Sequence, residues 1–81
     1  MPEAAGRSYE LWALPRGGGA PVSLGLLPAA GSAERTLSER QRTALLAADK
    51  VAVSVEPAGG SPTGSPTGPI VIVTNVAAAA G

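Results

Sequence analysis

The chain has no cysteine and no histidine, and only one tryptophan and one tyrosine in 81 residues. Without cysteine there is no disulfide framework, no thiolate nucleophile and no zinc–thiolate site. Without histidine, the usual proton shuttle and the commonest metal ligand are missing. Six basic residues balance six acidic ones, so no excess of positive charge points to nucleic acid as a partner. Charged residues are 15% of the chain, below the roughly 25% of an average soluble domain. The expectation is a non-enzymatic protein with no catalytic residue, no cofactor and no metal.

Large apolar side chains are also few. Twenty residues are large and apolar, and the other hydrophobic positions are sixteen alanines. A domain of this size buries only about 60% of its unfolded surface. Such a core needs close backbone pairing or a partner. Long hydrophobic runs are absent too. Residues 57–81 carry no charge, but prolines and glycines break up the first half. The apolar stretch 70–80 falls short of the roughly 20 residues that span a bilayer. The N-terminus has no apolar segment of the signal-peptide kind. The chain as given therefore reads as soluble, which leaves room for its being the outer piece of a longer membrane protein, since a fragment does not carry its parent's targeting signal.

What is present reads as short strands. Residues 9–14 (YELWAL) alternate as a strand, with Tyr9, Leu11 and Ala13 on one face and Glu10, Trp12 and Leu14 on the other. Pro15 ends it, a Gly-rich turn follows, and residues 22–27 (VSLGLL) complete a hairpin, with Gly25 marking a bulge. Residues 28–31 read as a turn and 34–37 as a short strand. Ser38-Glu39-Arg40-Gln41 fits a capping box, predicting a helix to about Ala48 with Leu45 and Ala44 or Ala48 turned inward. Residues 51–56 (VAVSVE) are the clearest strand, and 70–76 (IVIVTNV) reads as a central strand, apolar on both faces. Thirteen residues lie between them, with Ser-Pro-Thr-Gly written twice, a long connection for a hairpin. The predicted fold is all-β: a small antiparallel β-sandwich or half-barrel with one short helix. One domain is expected over residues 8–76, with flexible ends at 1–7 and 77–81. Trp12 is expected to anchor a core with Val51, Val53 and Val55.

Motifs that suggest chemistry do not hold. Gly17 to Gly19 match neither phosphate-binding glycine pattern. Gly60-Ser61-Pro62-Thr63-Gly64 has proline where a nucleophile elbow needs serine, and no histidine exists to act as base. The six carboxylates are scattered, and five are expected on the solvated surface. Glu56 differs, because it ends an apolar strand before Pro57-Ala58-Gly59-Gly60-Ser61-Pro62. Its carboxylate is expected to accept N–H bonds from the turn at Gly59, Gly60 and Ser61.

Four stretches together resemble a known family: Tyr-Glu-Leu-Trp at 9–12, Gly-Ala-Pro-Val-Ser-Leu-Gly at 19–25, Val-Ser-Val-Glu-Pro-Ala-Gly-Gly-Ser-Pro-Thr-Gly at 53–64 and Thr-Gly-Pro-Ile-Val at 67–71. In that order and spacing they resemble the C-terminal, extracytoplasmic domain of the anti-sigma-K factor (RskA) family, over residues 8–76. The run at 54–62 is the most specific part, and the resemblance makes Glu56, Pro57, Gly59, Gly60, Ser61 and Pro62 a structural signature turn. It implies a regulatory domain on the outer side of the plasma membrane, belonging to a single-pass protein. The implied partners are a parent membrane helix, a cytoplasmic sigma-binding domain and a membrane or periplasmic protease. The domain would sense a signal or gate the proteolysis that releases a sigma factor. Two alternatives stand beside it: a module that forms a homodimer through a β edge, motivated by the apolar strand at 70–76, and a small carbohydrate-binding β module using Trp12.

Overall fold

The computed structural model describes residues 6–27 and 37–76. Four strands, β1 (Arg7–Pro15), β2 (Val22–Leu27), β3 (Ala48–Pro57) and β4 (Ile70–Asn75), and one helix, α1 (Glu39–Leu46), follow in the order β1-β2-α1-β3-β4. All strand pairs are antiparallel, in one sheet of order β2-β1-β3-β4. The all-β expectation holds, with the described strands in a single sheet. Its other layers are the helix on one face and the β3–β4 connection on the other. The short strand expected at 34–37 and the turn at 28–31 fall at positions that, apart from Leu37, lie outside the described residues, as do the ends 1–5 and 77–81. Leu37 itself is not in a strand.

The β1–β2 hairpin forms where the sequence places it. Gly18 donates to Pro15 O at 3.2 Å, closing the turn. The pairing register shifts between Leu11 and Trp12, opposite Gly25 and Ser23. Leu24 is the extra residue of that bulge, and the shift turns it toward Ala13. Leu24, Ala13 and Ala48 are buried together, with Leu11, Ala44, Leu45, Val51 and Val76 packed around them.

The helix is eight residues long, too short to stand without packing. Its capping box is complete: Ser38 Oγ accepts from Gln41 N at 3.1 Å, and Gln41 Oε1 accepts from Ser38 N at 2.9 Å. The Gln41 amide also donates to Ser23 O at 3.2 Å, fixing the helix start to β2. At the other end Ala47 O accepts from Arg16 N at 3.0 Å, so the hairpin loop satisfies a helix-terminal carbonyl. The helix ends at Leu46, and Ala48 already belongs to β3.

Two expectations about packing are corrected. Residues that face one another across antiparallel strands share a face of the sheet. Leu11 and Ala13 pair with Val53 and Val51, while Glu10 and Trp12 pair with Ser54 and Ala52. Trp12 and the valines are therefore back to back and cannot form one core. Strand β4 is not central either. Among the described strands it lies at the edge of the sheet, paired with β3 alone, and every residue in it is exposed.

Candidate functional site

The face that carries Trp12 is polar in an unusual way. Glu10, Ser54 and Glu56 are buried beside Trp12, and the last two are almost wholly enclosed. Alternation along β1 and β3 puts all four on one face, at the two central strands. The twelve residues 58–69 that join β3 to β4 fold back over this face. A buried carboxylate is costly unless hydrogen bonds replace its water. The loop supplies them.

Glu56 sits at the far end of that arrangement. Its carboxylate accepts from Ser54 Oγ at 2.5 Å, Thr67 Oγ1 at 2.5 Å, Thr67 N at 3.1 and 3.2 Å, and Gly68 N at 3.2 Å. Ser54 Oγ in turn accepts from Trp12 Nε1 at 2.8 Å. Burial alone pushes the Glu56 carboxyl up. The bonds from Ser54, Thr67 and Gly68 outweigh it and hold the group below its ordinary value of 4.5. Gly68 must come this close: a Cβ there would stand 1.7 Å from Val55 O.

Glu10 holds the near end. Its Oε1 accepts from Ser61 N at 2.7 Å and its Oε2 from Ser23 Oγ at 2.5 Å. Ser23 Oγ also accepts from Gly25 N at 3.2 Å, tying the bulge into the same network. Gly60 passes directly over this carboxylate. Its φ is +109°, and a Cβ would meet Glu10 Oε1 and Leu26 Cδ2 at 3.2 Å. The preceding turn closes through Gly60 N to Pro57 O at 2.8 Å. Gly59, at φ +93°, is its third residue, the position where a type II turn requires positive φ.

The repeated Ser-Pro-Thr-Gly braces the loop between these two anchors. Ser61 Oγ donates to Ser65 O at 2.5 Å and accepts from Thr63 N at 3.2 Å. Thr63 Oγ1 donates to Ser65 O at 3.1 Å and accepts from Ser65 N at 3.3 Å. Hydroxyls here take the place of ladder bonds and brace the long connection from within. No buried side-chain polar atom among the described residues lacks a partner.

The carboxylate clamp differs from the expected one in its partners. Glu56 was expected to receive Gly59, Gly60 and Ser61. Instead Gly59 N donates to Ser8 Oγ at 3.1 Å, Gly60 N to Pro57 O and Ser61 N to Glu10. Chain direction explains this: Glu56 lies on β3 beside the strand that the loop returns to, whereas Glu10 lies one strand away, under the loop's outward leg. Glu10 was expected on the surface and is buried. Its signal was its place on the Trp12 side of a strand with two apolar faces. Thr67 and Gly68 lie in the stretch 67–71 that carries the resemblance, but nothing in the local sequence marks them as the donors to Glu56. Pro62 is exposed within the braced loop.

This site has no free reactive group of the catalytic kind. Both Glu56 oxygens are fully engaged by neutral O–H and N–H donors. The described residues contain no cluster of acidic side chains able to hold a metal. Trp12 is fully buried with its N–H bonded, so it offers no stacking face to a sugar. No described helix is long and apolar enough to cross a membrane. Chemically, the arrangement can do one thing well: hold a surface loop shut by two buried carboxylates.

Comparison with known proteins agrees with the pattern. No curated protein and no solved structure matches the chain. A family profile does match, over residues 1–70, and it includes both carboxylates, the type II turn and the braced loop through Gly68 and Pro69. The chain belongs to the anti-sigma-K factor RskA C-terminal family, a family of regulatory proteins.

Proposed function

We propose that the chain is the extracytoplasmic regulatory domain of a membrane-bound anti-sigma factor, and that its clamped loop gates the proteolysis that releases the sigma factor. Family membership supports the anti-sigma role. The observation that carries the gating role is the clamp itself. Two buried carboxylates on the central strands, Glu10 and Glu56, grip opposite ends of one surface loop.

In this reading the closed domain denies a membrane or periplasmic protease its access to the stalk beside the membrane. Opening needs only the loop to lift, since local opening costs less than global unfolding. The bonds at Thr67 and Gly68 are few and adjacent, so they release together. The domain itself contacts no sigma factor. The signal acts on the loop, and the cytoplasmic domain of the parent carries the inhibition.

The test uses cells carrying the complete gene and a sigma-dependent reporter. Glu56→Gln, which weakens the clamp, should raise cleavage of the protein and reporter output without signal. Removal of residues 8–76 should raise both further. Unchanged signal-dependent cleavage after that removal would reject the gating role.

A further inference from the structure

Strand β4 is bare. It pairs with β3 on one side, and no described strand lies on its other side. Ile70, Val71, Ile72 and Val73 are 45%, 48%, 41% and 55% exposed. Alternate residues point to opposite faces, so both faces of this strand are open. These exposures leave apolar surface on the order of 300 Å², shared between the two faces of the strand, so the unguarded backbone edge rather than patch size marks the strand. Soluble proteins normally guard such an edge with charge, above all lysine. Residues 57–81 contain none.

The hydrogen-bonding direction of the edge follows from the ladder. Val76 donates to Asp49 O at 3.0 Å, and bonds alternate along an antiparallel pair. With Val51 opposite Thr74 and Val53 opposite Ile72, Thr74 and Ile72 also bond inward. Val73 and Asn75 direct their N–H and C=O away from β3. The ladder shifts register at Val71, between the pairs Val53–Ile72 and Ser54–Ile70, so the regular outer row is that of Val73 and Asn75, and another strand can complete it.

We infer that β4 is a self-pairing edge: two copies of this chain join β4 to β4, antiparallel about a two-fold axis at Val73, into one eight-stranded sheet. Four observations fit a second copy. The strand has no charge, so pairing it with itself sets no like charges opposite. A two-fold axis at Val73 places Val73 against Val73 and Ile72 against Thr74, which puts β-branched residues in both central pairs. The whole chain has no net charge, so two copies approach without long-range repulsion. Antiparallel addition also continues the pattern of every other pair in the sheet. The joined strips make a small seam, below the roughly 1,200 Å² of stable interfaces, so the dimer is weak and exchanging. This inference does not depend on the gating role.

Sedimentation equilibrium of the chain between about 10 µM and 1 mM covers the range for so small a seam. The weight-average mass should climb from 7.9 kDa toward twice that value. Two variants test the edge. Val73→Pro removes an outward N–H and no inward bond, a position where an edge strand tolerates proline. Val73→Lys sets two ammonium groups together on the axis and should weaken association at least about tenfold. Both should keep the wild-type circular dichroism and lie closer to 7.9 kDa than the wild type at every concentration. If Val73→Pro loses that signature, Val73→Lys decides alone, since its side chain is exposed. A wild type that stays monomeric to about 1 mM overturns the inference. So does a dimer that the folded variants retain, or a mass that climbs past two copies, which would mean open chains built from β4 on β2.

Discussion

Replacing Glu56 by glutamine keeps the shape of the side chain and exchanges one oxygen for an amide NH2. If that NH2 takes the Oε2 position, it faces the N–H of Gly68 and the hydroxyl of Ser54, donor against donor. If it takes the Oε1 position, the Thr67 hydroxyl can rotate to accept from it, and Thr67 N keeps its bond to the other oxygen. The second orientation is preferred, and no backbone N–H is then orphaned. Every bond is nonetheless neutral instead of charge-assisted, a loss of about 1 kcal/mol each. Removing the charge also removes its desolvation cost, which offsets part of the loss. The net expectation is about 2 kcal/mol of destabilisation. In a domain of this length that lowers Tm by roughly 8–16 °C. Calorimetry at neutral pH reads it. A fall of less than about 2 °C would refute the claim that this carboxylate holds the loop.

The same residue sets a pH dependence whose sign is fixed. Its folded pKa lies below the ordinary 4.5. Between the two values the unfolded chain binds a proton that the folded protein does not, so stability rises with pH there. The contribution is complete above the unfolded value and is lost as pH falls through the folded one. The Tm difference between wild type and Glu56→Gln should be full at neutral pH and shrink below 4.5, because a protonated Glu56 resembles glutamine. A difference that grows with acidity would contradict this assignment.

Three further outcomes follow from the packing. Gly68→Ala drives a methyl into Val55 O and should cost more than about 3 kcal/mol by urea unfolding, because the obstacle is backbone and cannot rotate away. Trp12→Phe strips Ser54 Oγ of its donor and leaves a void, for about 2–3 kcal/mol; in the wild type, Trp12 emission should resist acrylamide quenching until the protein unfolds. Ser38→Ala removes the acceptor for Gln41 N and should cost about 1 kcal/mol, read as a small drop in Tm with the sheet intact.

Local patterns made most of the elements readable from the residues. The capping box at Ser38, the alternation of 51–56 and the proline–glycine turn after Pro15 are short-range signals, and each is set by neighbours within a few positions. Absence was informative in the same way: with no cysteine and no histidine, whole classes of chemistry drop out before any fold is known. The turn at 57–60 also announced itself, since Gly59 and Gly60 satisfy a local demand for positive φ.

What the tertiary structure alone decided is which carboxylate meets which donor, and which strand lies outside. Glu10 and Ser61 are 51 positions apart, and Glu56 meets Thr67 rather than the glycines beside it. Strand order determines both contacts, because a loop leaving β3 crosses β1 before it returns. Alternation shows which residues share a face, but not which face a distant loop will cover. Likewise IVIVTN has the composition of a central strand, yet it lies at the edge, because β3 is its one neighbour among the described strands. Side-chain pattern records what a strand can bury. Only the completed sheet decides whether anything is there to bury it.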